Sequence, residues 1–210
     1  MKLKLILLGL LLISFNNIIY AQNNTDLYAV SVGKSIGLED PKKYSHLLGY
    51  SMQFPENISA THMLVDISIG LGLTQKVTQA EGKTLEEKMT DAIEDNNAFA
   101  ALKKYNPFRT IAGFYADKNR KSIIVVATMP AKAFQELESK NKNNVDNKKS
   151  KNVIIDGIKC LWAPLPEDNK YNSLVWHKSG VSYMIFPIEG KNFTLDEAEN
   201  IAKKVIGGIK

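Results

Sequence analysis

The chain has 210 residues, a formal net charge of +5 at pH 7 and one cysteine, Cys160. This length suits one domain with a buried core. The mild positive excess does not favour nucleic acid as a partner. The single cysteine excludes an intrachain disulfide.

The N-terminus has the pattern of a secretory signal peptide. Two lysines precede an apolar run, Leu5–Phe15, and a small residue, Ala21, follows at the expected cleavage position. The run is shorter than the ~20 residues that a membrane-spanning helix needs. We therefore predict that residues 1–21 are removed near Ala21. The remaining residues, 22–210, would form a single exported domain, periplasmic or secreted.

Four elements are predicted in the first half of the chain. In chain order they are a strand, a short helix, a strand and a long helix: Tyr28–Ile36, Asp40–Tyr50, Met63–Thr74 and Thr84–Tyr105. Asp40 is the expected N-cap of the short helix, because a proline follows it at the first helical position. The pair Thr84 and Glu87 is spaced as a capping box at the start of the long helix.

The second half is predicted to alternate hairpins, a strand and helices. In chain order these are the hairpin Phe108–Ala116 with Ser122–Met129, the helix Ala131–Ser139, the strand Val153–Ala163, a hairpin over residues 173–186 and the helix Leu195–Ile206. Ser179-Gly180 is the expected turn of the second hairpin, since tight hairpin turns need a positive φ. Thr194 and Glu197 predict a capping box on the last helix.

A polar stretch interrupts this half at residues 140–152, "KNKNNVDNKKSKN". Its asparagines and lysines surround a single apolar residue, so it cannot bury enough surface to order itself. We predict an exposed loop here. A basic docking patch is the alternative.

Apolar residues alternate along the predicted strand Met63–Thr74. Because successive strand side chains point to opposite faces, one face would carry six large apolar groups: Met63, Val65, Ile67, Ile69, Leu71 and Leu73. The other face would carry small or polar groups. An apolar face of this kind either packs against core helices or lines a cavity for an apolar ligand.

The C-terminal third carries a family resemblance, in the order "NVIIDGIKCLWAPL", "NSLVWHKSGVSYMIF" and "FTLDEAENIAKKV". It resembles exported or membrane-tethered bacterial proteins related to the outer-membrane lipoprotein carrier. The matching residues are Trp176, Gly180, Val181, Tyr183, Leu195, Glu197 and Ala198. The resemblance implies a half-open antiparallel barrel with helices against its concave face, and a role in binding lipid or hydrophobic tails.

The predicted fold class is therefore α+β, with a mainly antiparallel curved sheet and helices packed on one face. The segment "YSMQFPENISA" is similar to small antiparallel-sheet proteins of the photosystem-accessory type. That similarity implies an alternative, an α/β/α sandwich.

No pattern in the sequence indicates catalysis, a metal site or a cofactor. The three histidines, His46, His62 and His177, are widely spaced, and paired cysteines are lacking. The pair of Cys160 and His177 could form a nucleophile with its base if their strands adjoin. An enzyme is not the favoured prediction, and we predict no metal and no cofactor.

The leading hypothesis is a non-enzymatic binding or carrier protein for an apolar or lipid-like ligand in the bacterial envelope. The alternative is a protein-interaction accessory module of an envelope or secreted complex, with an envelope protein as its partner. The residues predicted to bind the ligand are Val65, Ile67, Ile69, Leu71, Trp176 and Tyr183.

Overall fold

The computed structural model describes residues 30–141, 150–164, 171–189 and 193–208. Their strands are β1 Ser31–Gly37, β2 Met63–Leu73, β3 Pro107–Ala116, β4 Ile123–Pro130, β5 Lys151–Ile155, β6 Ile158–Pro164, β7 Asn172–Lys178 and β8 Val181–Glu189. The α-helices are α1 Ser45–Leu48, α2 Gln79–Ala92, α3 Asn96–Ala101, α4 Ala131–Asn141 and α5 Leu195–Gly208, and 3-10 turns lie at Pro41–Tyr44 and Lys103–Tyr105.

All eight strands form one open, curved sheet in the order β1-β2-β3-β4-β8-β7-β6-β5, and every neighbouring pair is antiparallel. The sheet thus consists of two four-stranded meanders, β1–β4 and β5–β8, which meet where β4 pairs with β8. The predicted α+β class with an antiparallel sheet is confirmed.

Helices lie against both faces of this sheet. On one face, α2 and α5 cover the larger apolar cluster, which we call the major core; it also takes in α1 and the segment that follows it. On the other face, Ala133 and Leu137 of α4 cover a smaller cluster built from β3, β4, β7 and β8, which we call the minor core. The prediction placed helices on one face only. The difference arises because α4 folds back over the strand that precedes it.

The hairpin turn predicted at Ser179-Gly180 is confirmed. Both turn residues have positive φ, +51° and +77°, as a two-residue hairpin turn requires. Trp176 pairs with Tyr183 and Leu174 with Ile185. Turn chemistry and alternation agree here, which is why the local sequence suffices to predict the register.

The strand β2 has the predicted bounds to within one residue, but its face pattern changes near its start. The register with β3 shifts between Leu64 and Asp66, so that Val65 is an inserted residue. Such a bulge moves the preceding side chains to the opposite faces. Leu64 therefore packs against the major core, whereas Met63 and Val65 are exposed, Val65 by 37%. The predicted placement of Met63 and Val65 on the apolar face is wrong for this reason.

The long helix predicted over Thr84–Tyr105 is two helices. Its capping box is formed by Thr78 and Glu81, which bond each other's backbone amides at the start of α2. The hydroxyl of Thr84 instead donates to the carbonyl of Ala80 inside the helix, 3.1 Å away. Asp95 caps α3 by accepting from two backbone amides, so the chain restarts a helix there.

The predicted strand Val153–Ala163 is a hairpin of β5 and β6. Asp156 and Gly157 form its turn, with φ of +48° and +78°, and Ile155 pairs with Ile158. An Asp-Gly pair between apolar runs is a strong hairpin signal, and the prediction missed it.

The bounds predicted for the polar loop, 140–152, are wrong at both ends, because α4 extends to Asn141 and β5 begins at Lys151. Residues 142–149 lie outside the described residues, as do the predicted signal peptide and the start of the predicted strand Tyr28–Ile36. Among the described residues, none of the helices has the length and apolar character needed to cross a membrane.

Two predicted caps are confirmed. Asp40 accepts a hydrogen bond from the backbone amide of Lys42, 3.0 Å away, where the 3-10 turn before α1 begins. Thr194 and Glu197 bond each other's backbone amides at the start of α5. This reciprocal bonding satisfies donors that a helix start otherwise leaves free.

Gly113 lies in the middle of β3, where the ring of Phe54 packs directly onto the sheet. A Cβ added at this position would lie 2.7 Å from Phe54 Cδ1 and 3.1 Å from Leu64 Cδ1. We expect Gly113→Ala to lower the free energy of unfolding by ~1–3 kcal/mol, since the ring must shift. Urea denaturation measures this. Gly207→Ala is the control, because an added Cβ there meets nothing within 4 Å; equal stability of the two variants would contradict the close packing.

Candidate functional site

Five of the six residues predicted to bind a ligand lie in the closed major core. Ile67, Ile69, Leu71, Trp176 and Tyr183 are each at most 2% exposed, and they belong to the same apolar cluster as α2 and α5. The sixth, Val65, is exposed and lies at the β2 bulge. The structure thus brings five of these residues together as packing and separates Val65 from them.

The centre of the major core contains an aromatic stack. The rings of Trp176 and Tyr183 are 5.2 Å apart and nearly parallel, at 6°. Tyr50 reaches the same face, and its hydroxyl lies 3.0 Å from Thr128 Oγ1. Burial raises the pKa of both tyrosines, Tyr50 and Tyr183. Both phenols therefore stay neutral at physiological pH, and the Tyr50 hydroxyl joins the segment after α1 to β4.

Cys160 and His177 are not a catalytic pair. Cys160 lies directly opposite Trp176 in the β6–β7 ladder, on the major core face. His177 is the next residue along β7, so its ring lies on the other face, where it packs edge-on against Phe134 of α4. Burial raises the pKa of the Cys160 thiol to about 11, so the group is protonated and unreactive.

The buried position of Cys160 predicts that its thiol does not react in the folded protein. We expect Cys160 in the folded protein to remain unlabelled by Ellman's reagent at pH 8, because a buried thiol with a raised pKa supplies almost no accessible thiolate. The same protein unfolded in urea is the control and should react with one equivalent. Rapid labelling of the folded protein would contradict the closed core around β6.

Another pair of polar side chains lies beside the β3–β4 turn. His62 Nε2 is 3.0 Å from Ser122 Oγ, as a serine and its base would be. However, the other ring nitrogen of His62 faces the hydroxyls of Ser59 and Thr61 rather than a carboxylate. The third member of a catalytic triad, which orients the base, is therefore not provided by these contacts.

A groove of about 610 Å³ opens at the end of the sheet where β2 ends, β3 begins and β4 ends. We call it the end groove. Its walls come from α1 and α3 on the major core side and from α4 on the minor core side. Its lining residues are His46, Leu47, Leu48, Gly49, Thr74, Phe99, Ala100, Lys103, Asn106, Pro107, Phe108, Arg109, Pro130, Lys132, Ala133 and Glu136.

The floor of the end groove is mainly apolar. Leu48, Phe108 and Ala133 are buried there, and the half-buried ring of Phe99 completes one wall. Each of these residues lies within three residues of the start or end of its element. Leu48 is the last residue of α1, before Gly49 turns the chain with φ of +78°. Ala133 lies in the first turn of α4. The apolar surface therefore depends on where several elements stop.

Arg109 is the buried charge of the end groove, and it ties three helices to β3. Its Nη1 donates to the Leu47 carbonyl and to Asn96 Oδ1, at 3.0 and 2.9 Å. Its Nη2 donates to the carbonyls of Ala92 and Asp95, at 3.0 and 3.2 Å. Burial lowers the pKa of Arg109, but an arginine side chain stays protonated.

The partners of Arg109 explain why a charge is tolerated there. Ala92 is the last residue of α2, and its carbonyl lies at the negative end of the helix dipole, which favours a cation. The guanidinium carbon also lies 4.2 Å from the centroid of the Phe99 ring, a cation–π geometry. The charge is thus stabilised by dipoles and a ring.

The rim of the end groove carries two further cations. Lys103 and Lys132 are exposed on opposite walls, and neither is ion-paired within the ranges that the structure covers. Glu136 is the acidic residue of the lining, and its carboxylate accepts a hydrogen bond from Thr74 Oγ1 at 2.7 Å. The described residues contain no cluster of three or more metal-ligating side chains.

The sequence contained one signal for this groove. In "PFRTIAGFYA" a single arginine interrupts an apolar strand, and a buried charge needs partners from other elements. The remaining lining residues come from α1, α3 and its following 3-10 turn, α4 and the ends of β2, β3 and β4, and no local spacing connects these elements. The groove was therefore not predictable from strand alternation.

No curated protein and no solved structure matches the chain. A family model described as "Domain of unknown function (DUF4367)" matches residues 94–205. The matched range includes β3 to β8, which are contiguous in the sheet, together with α3, α4 and most of α5. Because the match spans more than half of the chain, the chain belongs to this family of domains of unknown function.

Proposed function

We propose that the protein is an exported, non-enzymatic binding protein that holds an apolar or lipid-like ligand in the end groove. The observation that carries the proposal is the groove itself. Its volume of about 610 Å³ falls within the range of roughly 300–1,000 Å³ that is usual for ligand sites. Its floor is apolar with a few polar groups, as such sites also require.

The C-terminal resemblance to lipoprotein-carrier-like proteins supports a binding role. The resemblance rests on a hairpin and a capped helix, and both are present at the expected residues. The resemblance implies a ligand under the helices of the concave face, but that face is filled here by the major core. We therefore place the proposed ligand at the end of the sheet.

A fluorescent probe with matched variants tests the proposal. Ala100 is exposed on α3 and lines the end groove, so Ala100→Trp fills the groove without disturbing the core. We expect the purified protein to bind 1-anilinonaphthalene-8-sulfonate or a fluorescent fatty acid, and Ala100→Trp to weaken binding at least fivefold. Ala80→Trp, on the exposed side of α2, is the control.

The outcomes of this experiment separate clearly. Loss of binding in Ala100→Trp alone supports the end groove as the site. Equal binding by both tryptophan variants rejects the groove, and absence of binding by the unmodified protein rejects a carrier of apolar ligands. Native mass spectrometry of protein purified from a bacterial periplasm gives an independent readout, since a bound lipid adds a defined mass.

A second function, an interaction module in an envelope complex, is favoured by one observation. Ile154 is 78% exposed on β5, which forms an edge of the sheet. Exposed edge strands are templates for pairing with another chain. A photo-crosslinker at position 154 should then capture one dominant envelope protein, whereas a crosslinker at the exposed Glu87 of α2 should not. Identical capture at both positions would reject this function.

A further inference from the structure

The charges around the end groove are unbalanced. Its lining contains three cationic side chains, Lys103, Arg109 and Lys132, and one carboxylate, Glu136. That carboxylate is already hydrogen-bonded to Thr74. An anion that enters the groove therefore meets a net positive surface.

Arg109 contributes to this surface although it is buried. All four of its described hydrogen bonds go to neutral oxygens, and it has no salt bridge within the described ranges. Its Nε atom is buried without a hydrogen-bond partner among the described residues. Dipoles stabilise the charge locally, but they do not cancel the net charge. The guanidinium, which lies beside the ring of Phe99, therefore adds to the positive potential of the groove.

We propose that the ligand of the end groove is an anionic amphiphile, with a carboxylate or phosphate headgroup between Lys103 and Lys132. Its apolar chain lies on Leu48, Phe99 and Phe108. Charges of this sign at a rim, above an apolar floor, favour a molecule that has both parts. This inference rests on the proposed function and adds the chemical class of its ligand.

The volume of the groove is sufficient for an acyl chain. A methylene group takes roughly the volume of a water molecule, ~30 Å³ in the liquid. One chain of about 16 carbons, roughly 480 Å³ on this basis, is therefore accommodated by the groove of about 610 Å³.

Paired ligands that differ only in charge test the inference. We expect the full exported chain to bind cis-parinaric acid about tenfold more tightly than its methyl ester at low salt, because two exposed cations each contribute modestly. The preference should shrink at 0.5 M salt, since exposed charges are screened. In the double variant Lys103→Gln with Lys132→Gln, acid and ester should bind within twofold of each other.

The matched control is the double variant Lys88→Gln with Lys121→Gln, whose side chains are exposed and do not line the groove. It should keep the tenfold preference. Competition with palmitate and with lysophosphatidylglycerol distinguishes a carboxylate from a phosphate headgroup, and displacement by either one supports the anionic class.

Three other results of this experiment would each lead to a different conclusion. If acid and ester bind equally to the unmodified protein, the charge inference is overturned and the proposed function stands. If neither binds, the proposed function fails together with the inference. If the preference survives in the variant lacking Lys103 and Lys132, the headgroup is not held at this rim.

Discussion

Trp176→Ala is expected to lower the free energy of unfolding by ~3–5 kcal/mol, the usual cost of truncating a buried large aromatic residue. Trp176 is 1% exposed and stacks on Tyr183 across the β7–β8 ladder. It also pairs with Cys160 on its other side. The variant therefore loses contacts on both neighbouring strands. Urea denaturation followed by circular dichroism measures the change.

Two comparisons make this result specific. Trp176→Phe keeps an aromatic ring over Tyr183 and removes an indole Nε1 that has no hydrogen-bond partner among the described residues. It should cost less than half as much as alanine, because removal of an unpaired polar group offsets part of the lost packing. Ile154→Ala, on the exposed edge, should change stability by less than ~0.5 kcal/mol. A small effect of Trp176→Ala would contradict the central position of the stack.

Arg109→Met is expected to lower the free energy of unfolding by ~3 kcal/mol or more. The substitution keeps much of the side-chain volume but leaves the carbonyls of Leu47, Ala92 and Asp95 without their donor. A buried acceptor left unsatisfied, as the Ala92 carbonyl would be, costs about 1–3 kcal/mol before relaxation, and the two part-buried carbonyls add to this. Arg109→Lys should recover only part of the loss, because an ammonium cannot reproduce the planar fork of five donors.

The readout is again the urea midpoint, with far-ultraviolet circular dichroism to follow α1, α2 and α3. Lys88→Met is the matched control, because it removes an exposed cation from α2 and should change stability by less than ~0.5 kcal/mol. If Arg109→Met were as stable as that control, the hydrogen bonds of the guanidinium would not hold these helices to β3.

Local chemistry accounts for the parts of the fold that the sequence predicted. The Ser179-Gly180 hairpin, the cap of Thr194 with Glu197 and the hairpin of β3 with β4 are each specified within about twenty residues. In each case the turn or cap agrees with the apolar alternation beside it. Agreement of this kind between local signals is what makes a segment predictable.

The caps, turns and strand faces that the sequence analysis predicted wrongly have two different causes. The cap at Thr78 and the Asp156-Gly157 turn are local signals that were present and overlooked. The bulge at Val65 depends on pairing with a strand about fifty residues away, and no pattern within β2 encodes it. Alternation alone therefore predicted the wrong face for Met63 and Val65 but the right face for the four apolar residues that follow.

The candidate site was missed because it is made at element ends. Strand alternation identified the largest apolar surface, and the chain uses that surface to pack its own helices. The end groove depends on where α1, α3 and α4 stop relative to β3. Such relations arise from tertiary packing rather than from periodicity.

The junction of the two meanders has a consequence for the order of assembly. All pairings within β1–β4 and within β5–β8 join strands consecutive along the chain, whereas β4 must wait for β8, about fifty residues later. Until then β4 presents unpaired backbone and the apolar residues Val125 and Ala127. Pairing of strands so far apart in the chain is slow. A nascent chain is therefore open to misassociation during the time before β4 and β8 pair.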